Sequence, residues 1–321
     1  MRRNLKDYLT IAIKGLAMGA ADVVPGVSGG TIAFISGIYE ELIETVNGLN
    51  TAFFSVWKKE GLLSSWKQYN LSFLTVLFLG IAISILSLAK LIKWLLHNEP
   101  LLLWAFFFGL VLASILHIGK QITTWKPKVL LGIFLAAIVS YLITVAEPIA
   151  SPDSNWYLLF CGFIAIIAMI LPGVSGAFIL LLLGAYQTFI DILNQFREGL
   201  VHMDFDLLWQ ALSKILIIAI GAITGLKLFS KVLNWMFKHH KNITLAILTG
   251  FMIGSLNKLW PWKKVTSWRT NSEGTEVPFI EKSILPVQFE GDPRIVWVLL
   301  FITIGFLLIL ILERLSIQKR K

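Results

Sequence analysis

Long apolar stretches recur along the whole chain and are separated by short polar segments. A run of about 20 apolar residues predicts a transmembrane helix. Plain spans are predicted at residues 71–96, 101–118, 128–146, 208–237, 243–260 and 295–313. Two further apolar segments, residues 9–44 and 157–191, are interrupted by Pro-Gly and predict helices that break inside the membrane. The pattern therefore predicts an all-α, polytopic membrane protein.

The two broken segments belong to an internal repeat. Pro-Gly-Val-Ser-Gly occurs at residues 25–29 and again at residues 172–176. The predicted repeats are residues 1–150 and 151–321, each with one broken, re-entrant segment and three plain spans. If each broken segment enters and leaves on one side of the membrane, each half crosses an odd number of times. The two halves are then predicted to have inverted topologies.

Positive charge supports this orientation. The segments predicted to lie inside the cell are each rich in Lys or Arg, whereas the three short outside loops contain only Arg197. Because short basic loops are held on the cytoplasmic side, both termini are predicted to be cytoplasmic. The long outside loop, residues 258–294, carries both signs. Residues 53–68 mix aromatic residues, leucines and lysines, which predicts a helix at the membrane interface.

Composition excludes other classes of protein. Hydrophobic residues make up 56% of the 321 residues and charged residues only 15%, so a soluble fold could not cover its apolar surface. The net charge of +9 lies in clusters at the span ends rather than along one face, and no nucleic-acid partner is expected. The single cysteine, Cys161, cannot form an intrachain disulfide.

Each Pro-Gly loop is followed by an apolar helical pattern, so each loop precedes a helix N-terminus. Backbone N–H groups and the positive end of the helix dipole attract anions there, and glycine lets a ligand approach closely. Two such N-termini that meet near the membrane midplane would form one anion site. The residues expected to hold a phosphate or carboxylate are Pro25, Gly26, Val27, Ser28, Gly29, Gly30, Thr31, Pro172, Gly173, Val174, Ser175 and Gly176.

The repeats differ at two places near these loops. Gly30 of the first loop is replaced by Ala177 in the second, which favours the first loop as the main contact. Asp22 precedes the first motif in an otherwise apolar stretch, and its counterpart is Met169. Because a charge at membrane depth is costly, Asp22 is a candidate proton site for coupling transport to the proton gradient. A helix cap bonded to the N–H groups of the loop is an equal alternative.

Other functions could use the same loops. A carrier for a small soluble anion would place them around a closed, water-filled cavity. A Gly-x-Ser-Gly string also fits an intramembrane serine protease, but the histidines that could serve as its base fall in predicted loops or, for His117, at a span end. A scaffold without transport activity would tolerate loss of both Ser28 and Ser175. The sequence contains no zinc-ligand cluster, P-loop or dinucleotide motif, so no metal or cofactor is expected.

The residues around the first motif resemble a family signature. Residues 15–31 read Gly-Leu-Ala-Met-Gly-Ala-Ala-Asp-Val-Val-Pro-Gly-Val-Ser-Gly-Gly-Thr and are followed by Ile38-Tyr39-Glu40. This string is similar to that of a bacterial and archaeal membrane family, first catalogued as a domain of unknown function and since proposed to transport polyprenyl phosphates. The resemblance covers essentially the whole chain.

The resemblance implies a transporter rather than an enzyme. Its cargo would be undecaprenyl phosphate or a similar lipid carrier of cell-wall and surface glycans, returned from the outer to the cytoplasmic leaflet of the cytoplasmic membrane. The implied partners are this lipid and the bilayer, and a homo-oligomer is compatible with the sequence. The residues alone indicate only an anionic cargo.

Overall fold

The computed structural model describes residues 3–24, 27–50, 52–149, 152, 154–270 and 276–318. The helices of the first repeat are α1 (Leu5–Asp22), α2 (Gly29–Ile35), α3 (Tyr39–Gly48), α4 (Ala52–Glu60), α5 (Leu62–Gln68), α6 (Leu71–Asn98), α7 (Pro100–Gly119) and α8 (Pro127–Val145). Those of the second are α9 (Asn155–Ile170), α10 (Gly176–Leu182), α11 (Tyr186–His202), α12 (Phe205–His239), α13 (Lys241–Leu259) and α14 (Ile295–Gln318). A 3-10 turn covers Pro286–Gln288.

Local sequence signals explain where several helices begin. Asn4 accepts a hydrogen bond from the Asp7 N–H at 3.0 Å, and the Asp7 carboxylate accepts one from the Asn4 N–H at 2.9 Å, which closes a capping box on α1. Proline opens both α7 and α8, where its missing N–H leaves no helical bond unmade. Asp204 caps α12 through the N–H groups of Asp206 and Leu207.

Both broken segments have the same sequence of elements. A long helix ends before the Pro-Gly-Val-Ser-Gly motif, a helix of seven residues follows it, and a turn leads into a third helix. The turns lie at Gly37 and Gly184, whose φ angles of 74° and 67° favour glycine. In the second segment α10 and α11 meet at 109°. The second segment therefore bends sharply after its motif helix.

The plain spans are all helical. Within the described residues, α6, α7, α8 and α12 are long and apolar enough to cross a membrane, and the bent pair α10 and α11 is a further candidate. The apolar part of α14, Ile295–Ile311, is shorter, and α13 is more polar and largely buried. The prediction of an all-α, multi-pass membrane protein is confirmed.

Two segments differ from the expected elements. The interfacial segment 53–68 forms two helices, α4 and α5, because Gly61 between them has a φ of 84°. The long loop 258–294 contains an antiparallel hairpin of β1 (Lys263–Thr270) and β2 (Glu276–Ser283), which was not predicted.

Equivalent helices of the two repeats pack in equivalent pairs. α1 lies against α6 as α9 lies against α12, and α7 lies against α14 as α13 lies against α8. Matching glycines allow this close approach: a Cβ added to Gly15 or to Gly162 would lie 2.4 Å from the carbonyl oxygen of Leu77 or of Ile218, respectively. The inverted orientation of the two repeats remains a prediction.

The main core encloses the first broken segment. Val24, Val27 and Tyr39 are almost completely buried there, together with Leu248 and Met252 of α13. All seven residues of α2 are buried, whereas the buried residue of α10 is Ile179. The helix after the first motif therefore lies in the protein interior, and the helix after the second lies nearer its edge.

Candidate functional site

The two repeated loops contact each other directly. The N–H of Gly173 donates to Thr31 Oγ1 at 2.9 Å. Ser28 Oγ donates to the carbonyl oxygen of Met169 at 2.7 Å, one turn before the second motif. Tyr39 OH donates to the carbonyl oxygen of Ile170 at 3.2 Å. The first loop and its helices thus hold the end of α9 and the start of the second motif in place.

The polar groups of the first loop are bonded within the protein. Asp22 Oδ1 accepts from the Gly29 N–H at 2.6 Å, and Ser28 Oγ accepts from the Gly30 N–H at 3.0 Å. These bonds satisfy N–H groups at the start of α2, which is the helix-cap role considered for Asp22. Pro25 and Gly26 lie outside the described residues.

The glycines of the first loop are needed for packing. A Cβ on Gly29 would lie 2.6 Å from Asp22 Oδ2, and one on Gly30 would lie 2.4 Å from the carbonyl oxygen of Ile170. Real Cβ atoms do not approach other atoms so closely. The equivalent of Gly30, Ala177, is exposed and has room for its methyl group. The difference between the two positions therefore has a steric cause: Gly30 packs closely against the end of α9, and a side chain would not fit there.

The second loop has a different neighbour. Gly173 has a φ of 87°, and a Cβ there would lie 2.8 Å from both the Phe251 carbonyl oxygen and Ser255 Oγ of α13. Pro172, Val174 and Ser175 are buried, and Gly176 is partly exposed. Among the residues that the structure describes, Ser175 makes no side-chain cap bond to α10, unlike Ser28 at the start of α2.

Open space lies beside the second loop. A recess of about 10 Å³, room for no more than a single water, is lined by Gly173, Val174 and Ser175 together with α8 and Lys258. It adjoins a cavity of about 230 Å³ between α8, α10, α13 and the hairpin. Thr144, Phe178 and Lys258 line both spaces. No described residue of the first loop lines either one.

A partly buried cluster of charged residues lies at one wall of the cavity, which Lys258 and Glu281 line. The Lys258 side chain is 13% exposed, and its Nζ lies 3.7 Å from Glu281 Oε2 and 4.7 Å from the centroid of the Phe178 ring. Lys263 Nζ lies 3.6 Å from the same carboxylate oxygen and 3.3 Å from the centroid of the Trp104 ring. Burial lowers the pKa of Lys263 to about 7, although Glu281 opposes the shift.

Lys258 was not among the residues singled out in the sequence. A lysine near the end of the predicted span 243–260 is most simply a side chain that reaches the interface. Apolar residues occur on every face of α13, so no periodicity shows which side of the helix meets the second loop. The signal in the sequence is the loop that follows, in which acidic and basic residues are interspersed with apolar ones.

Ion pairs connect α3, the last helix of the first broken segment, to the rest of the protein. On α3, Glu41 pairs with Arg3, Glu40 pairs with Lys241 at 2.7 Å, and Glu44 lies 3.7 Å from Lys238. These exposed or half-exposed pairs are individually weak, but together they link α3 to the N-terminal segment, α12 and α13.

Two lysines within the long helices α1 and α12 bond to backbone carbonyls. Lys14 Nζ donates to the Ser36 carbonyl oxygen at 2.7 Å, and Lys227 Nζ donates to that of Val46 at 2.8 Å. Both carbonyls lie at the C-terminal ends of short helices, α2 and α3, where a cation is favourable. In the described part of the chain, no three His, Cys, Asp or Glu side chains lie close enough together to hold a metal ion.

A multi-pass helical protein in which two broken segments meet beside a cavity has the architecture of a membrane transporter. The sequence pattern of the undecaprenyl phosphate translocase-like family matches residues 18–277, and the chain belongs to this family. It is therefore a transporter and not an enzyme.

Two curated relatives agree with this assignment. A polyprenyl-phosphate transporter of Vibrio cholerae is 45% identical over 290 residues, which cover 90% of each chain. A polyprenyl-phosphate transporter of Staphylococcus aureus is 30% identical over 261 residues, 78% of this chain and 85% of the relative. No solved structure shows significant similarity to the chain.

Proposed function

We propose that this protein moves a polyprenyl phosphate across the cytoplasmic membrane as a flippase, with the phosphate held between the two Pro-Gly-Val-Ser-Gly loops. Its relatives named polyprenyl-phosphate transporters support the cargo. The supporting geometric observation is the bond between the Gly173 N–H and Thr31 Oγ1, which places the two loops in contact. The loops supply N–H and hydroxyl donors, and the isoprenoid tail can remain in lipid.

Phosphate binding has to replace bonds that the loops now make. Ser28 donates to Met169 and the Gly173 N–H donates to Thr31, while the recess at Ser175 is too small for a phosphate. Entry of the headgroup therefore separates the loops, and the phosphate oxygens take the place of the Met169 and Thr31 oxygens as acceptors. In the empty protein the loop donors bond to protein oxygens, and in the loaded protein they bond to phosphate oxygens. Such an exchange suits a carrier, because it keeps the free energies of the empty and the loaded state close to each other.

Transport runs in this proposal from the outer to the cytoplasmic leaflet, for recycling in the synthesis of envelope glycans. Both termini lie in the cytoplasm, so the hairpin and the cavity below it face outward. The ion pairs of α3 then lie at the cytoplasmic end. Asp22 couples transport to protons in this scheme: a protonated carboxyl group would hold the Gly29 N–H less strongly and release the first loop.

The direct test is reconstitution of the full chain in vesicles with undecaprenyl phosphate, followed by measurement of its exchange between leaflets. We expect rapid exchange by the wild-type protein and at least about tenfold slower exchange by Ser175→Ala, since a hydroxyl donor to a charged group contributes about 1.5 to 3 kcal/mol. Ser87→Ala is the matched control, because Ser87 is exposed and bonds only within α6 to the Ile83 carbonyl oxygen.

Two results would contradict the proposal. Folded wild-type protein that leaves exchange at the rate of empty vesicles would remove the flippase function. Exchange unchanged in the double variant Ser28→Ala with Ser175→Ala would remove the loops as the phosphate site.

A further inference from the structure

The cavity below the hairpin has one apolar and one polar wall. Phe178, Leu181 and Leu182 of α10 form the apolar side. Thr144, Asn257 and Lys258 contribute the polar side. At about 230 Å³, with an opening to the surface, it is large enough for a phosphate and the first isoprene unit of a lipid.

We infer that this cavity is a separate docking site for a phosphomonoester headgroup on an isoprenoid chain, in which Lys258 binds the phosphate and Glu281 occupies its place when the site is empty. This inference rests on the proposed function, because the docked lipid is the cargo that later reaches the loops. The inference adds a second binding site outside the loop motifs, together with a carboxylate, that of Glu281, which competes with the phosphate for Lys258.

Lys258 is positioned to change partners. Its Nζ stands 3.7 Å from Glu281 Oε2, whereas a charge-assisted N–H···O bond is about 2.7 to 2.9 Å long. The ion pair is therefore loose and does not engage all three N–H donors. The Phe178 ring on its other side stabilises the ammonium charge without using a donor.

Glu281 resembles a stand-in for the ligand. Its carboxylate lies between two buried ammonium groups, 3.7 Å from Lys258 and 3.6 Å from Lys263. A phosphomonoester carries more negative charge than a carboxylate and has three acceptor oxygens, so it competes for the same cations. The other charged side chains that line the cavity, Lys282 and Glu147, are exposed and of opposite sign.

The cavity also leads to the loops. The recess at Gly173 and Ser175 shares Thr144, Phe178 and Lys258 with the cavity. A phosphate held by Lys258 therefore has the second loop as its next hydrogen-bonding neighbour. The apolar wall formed by α10 lies beside this route and can accept the start of the lipid tail.

The test is calorimetric titration of the full chain in detergent with farnesyl phosphate, farnesol and inorganic phosphate. We expect Lys258→Gln to weaken farnesyl phosphate binding at least about tenfold, because a charged donor is lost, and Lys258→Arg to retain most of it. Glu281→Gln should tighten binding by about threefold or more, because the competing carboxylate is removed. Farnesol, which has no phosphate, should bind weakly and equally to wild type and Lys258→Gln.

Lys264→Gln is the matched control on the same hairpin, since Lys264 is exposed and pairs with Glu290 at 2.9 Å, outside the cavity. Lys258→Gln is expected to weaken farnesyl phosphate binding and Glu281→Gln to tighten it. These opposite changes in affinity distinguish a role in binding from a structural role. A cluster that only held the hairpin in place would be weakened by both changes, and that result would overturn the inference.

Two further results would also overturn it: farnesyl phosphate bound equally by wild type and Lys258→Gln, or inorganic phosphate bound as tightly as farnesyl phosphate. The latter would assign the cavity to a soluble anion. Failure of the docking site remains distinct from failure of the proposed function. In the first case Lys258→Gln still exchanges undecaprenyl phosphate at the wild-type rate, and in the second the wild-type protein does not exchange it at all.

Discussion

The two Pro-Gly-Val-Ser-Gly loops share their sequence but not their surroundings. The helix after the first loop is buried over all seven of its residues, and its N-terminal amides are bonded to Asp22 and Ser28. In the helix after the second loop only Ile179 is fully buried, and the loop itself borders a small recess that adjoins the cavity. The described residues of the first loop are thus sealed inside the protein, whereas the second loop has open space beside it.

The difference shows that the motif sets the backbone conformation of the loop. The residues that flank and contact the loop determine whether open space lies beside it. Asp22 supplies a cap to the first loop, and its counterpart Met169 cannot. Gly30 allows the first loop to lie against the end of α9, whereas Ala177 is exposed. The two copies of the motif thus differ in the residues that flank them.

Gly30→Ala should produce the largest effect, because its new methyl group would lie 2.4 Å from the Ile170 carbonyl oxygen. Overpacking of this kind costs about 1 to 3 kcal/mol and should also separate the two loops. We expect a clearly lower thermal unfolding temperature in detergent and loss of leaflet exchange.

Ala177→Ser is the control at the equivalent position of the second repeat. Because Ala177 is exposed, its stability should change by less than about 0.5 kcal/mol. Equal melting temperatures for Gly30→Ala and wild type would show that the first loop is not sealed against α9.

Substitution of the two equivalent serines, Ser28 and Ser175, should change different properties of the protein. Ser28→Ala removes the α2 cap and leaves the Met169 carbonyl without its donor, so it should cost about 1 to 2 kcal/mol of stability. Ser175→Ala should leave the unfolding temperature nearly unchanged and slow exchange instead. Thermal unfolding and leaflet exchange, measured on the same preparations, check both expectations. If the two variants lost equal stability, the contrast between a sealed and an open loop would not hold.

Much of this architecture could be predicted from local patterns in the sequence. Apolar runs predict the spans, and each Pro-Gly pair predicts a break because proline removes a helical N–H and clashes with the preceding turn. The helices do end before each motif and resume after it. The hairpin escaped prediction, since its strands are short and mix lysine, threonine and apolar residues without strict alternation.

Which loop faces open space could not be predicted from the motif, because both copies have the same five residues. That property depends on tertiary contacts. Gly173 packs against α13, and the hairpin lines the cavity together with Lys258. A cap at Asp22 can be proposed from the sequence, because its position before the loop is local information. The contact of Lys258 with Glu281 cannot, because Glu281 follows in a separate strand.

Asp22→Asn should have an intermediate effect. Asparagine is also a good cap and can accept from the Gly29 N–H, so we expect a stability loss below about 1 kcal/mol. An amide cannot take up a proton, and the pH dependence of leaflet exchange should therefore flatten. Exchange measured across a pH series in wild type and variant checks this point. A pH profile identical to that of wild type would leave Asp22 only its role as a cap.

The last prediction concerns the pH dependence of stability that Lys263 of the hairpin contributes. Burial lowers the pKa of Lys263 from 10.5 to about 7, so between these values the unfolded chain binds more protons than the folded one. The free energy of unfolding should therefore rise with pH, by roughly 1 to 3 kcal/mol from pH 7 to pH 9, and should be insensitive to this group below pH 7. Thermal unfolding at these pH values measures the rise.

Lys263→Met should remove this rise, because methionine retains the apolar contact with Trp104 and cannot be protonated. Lys264→Met, one residue along the same strand and exposed, should retain it. If both variants kept the wild-type rise, the pH dependence would arise elsewhere and the hairpin would be anchored independently of the charge on Lys263.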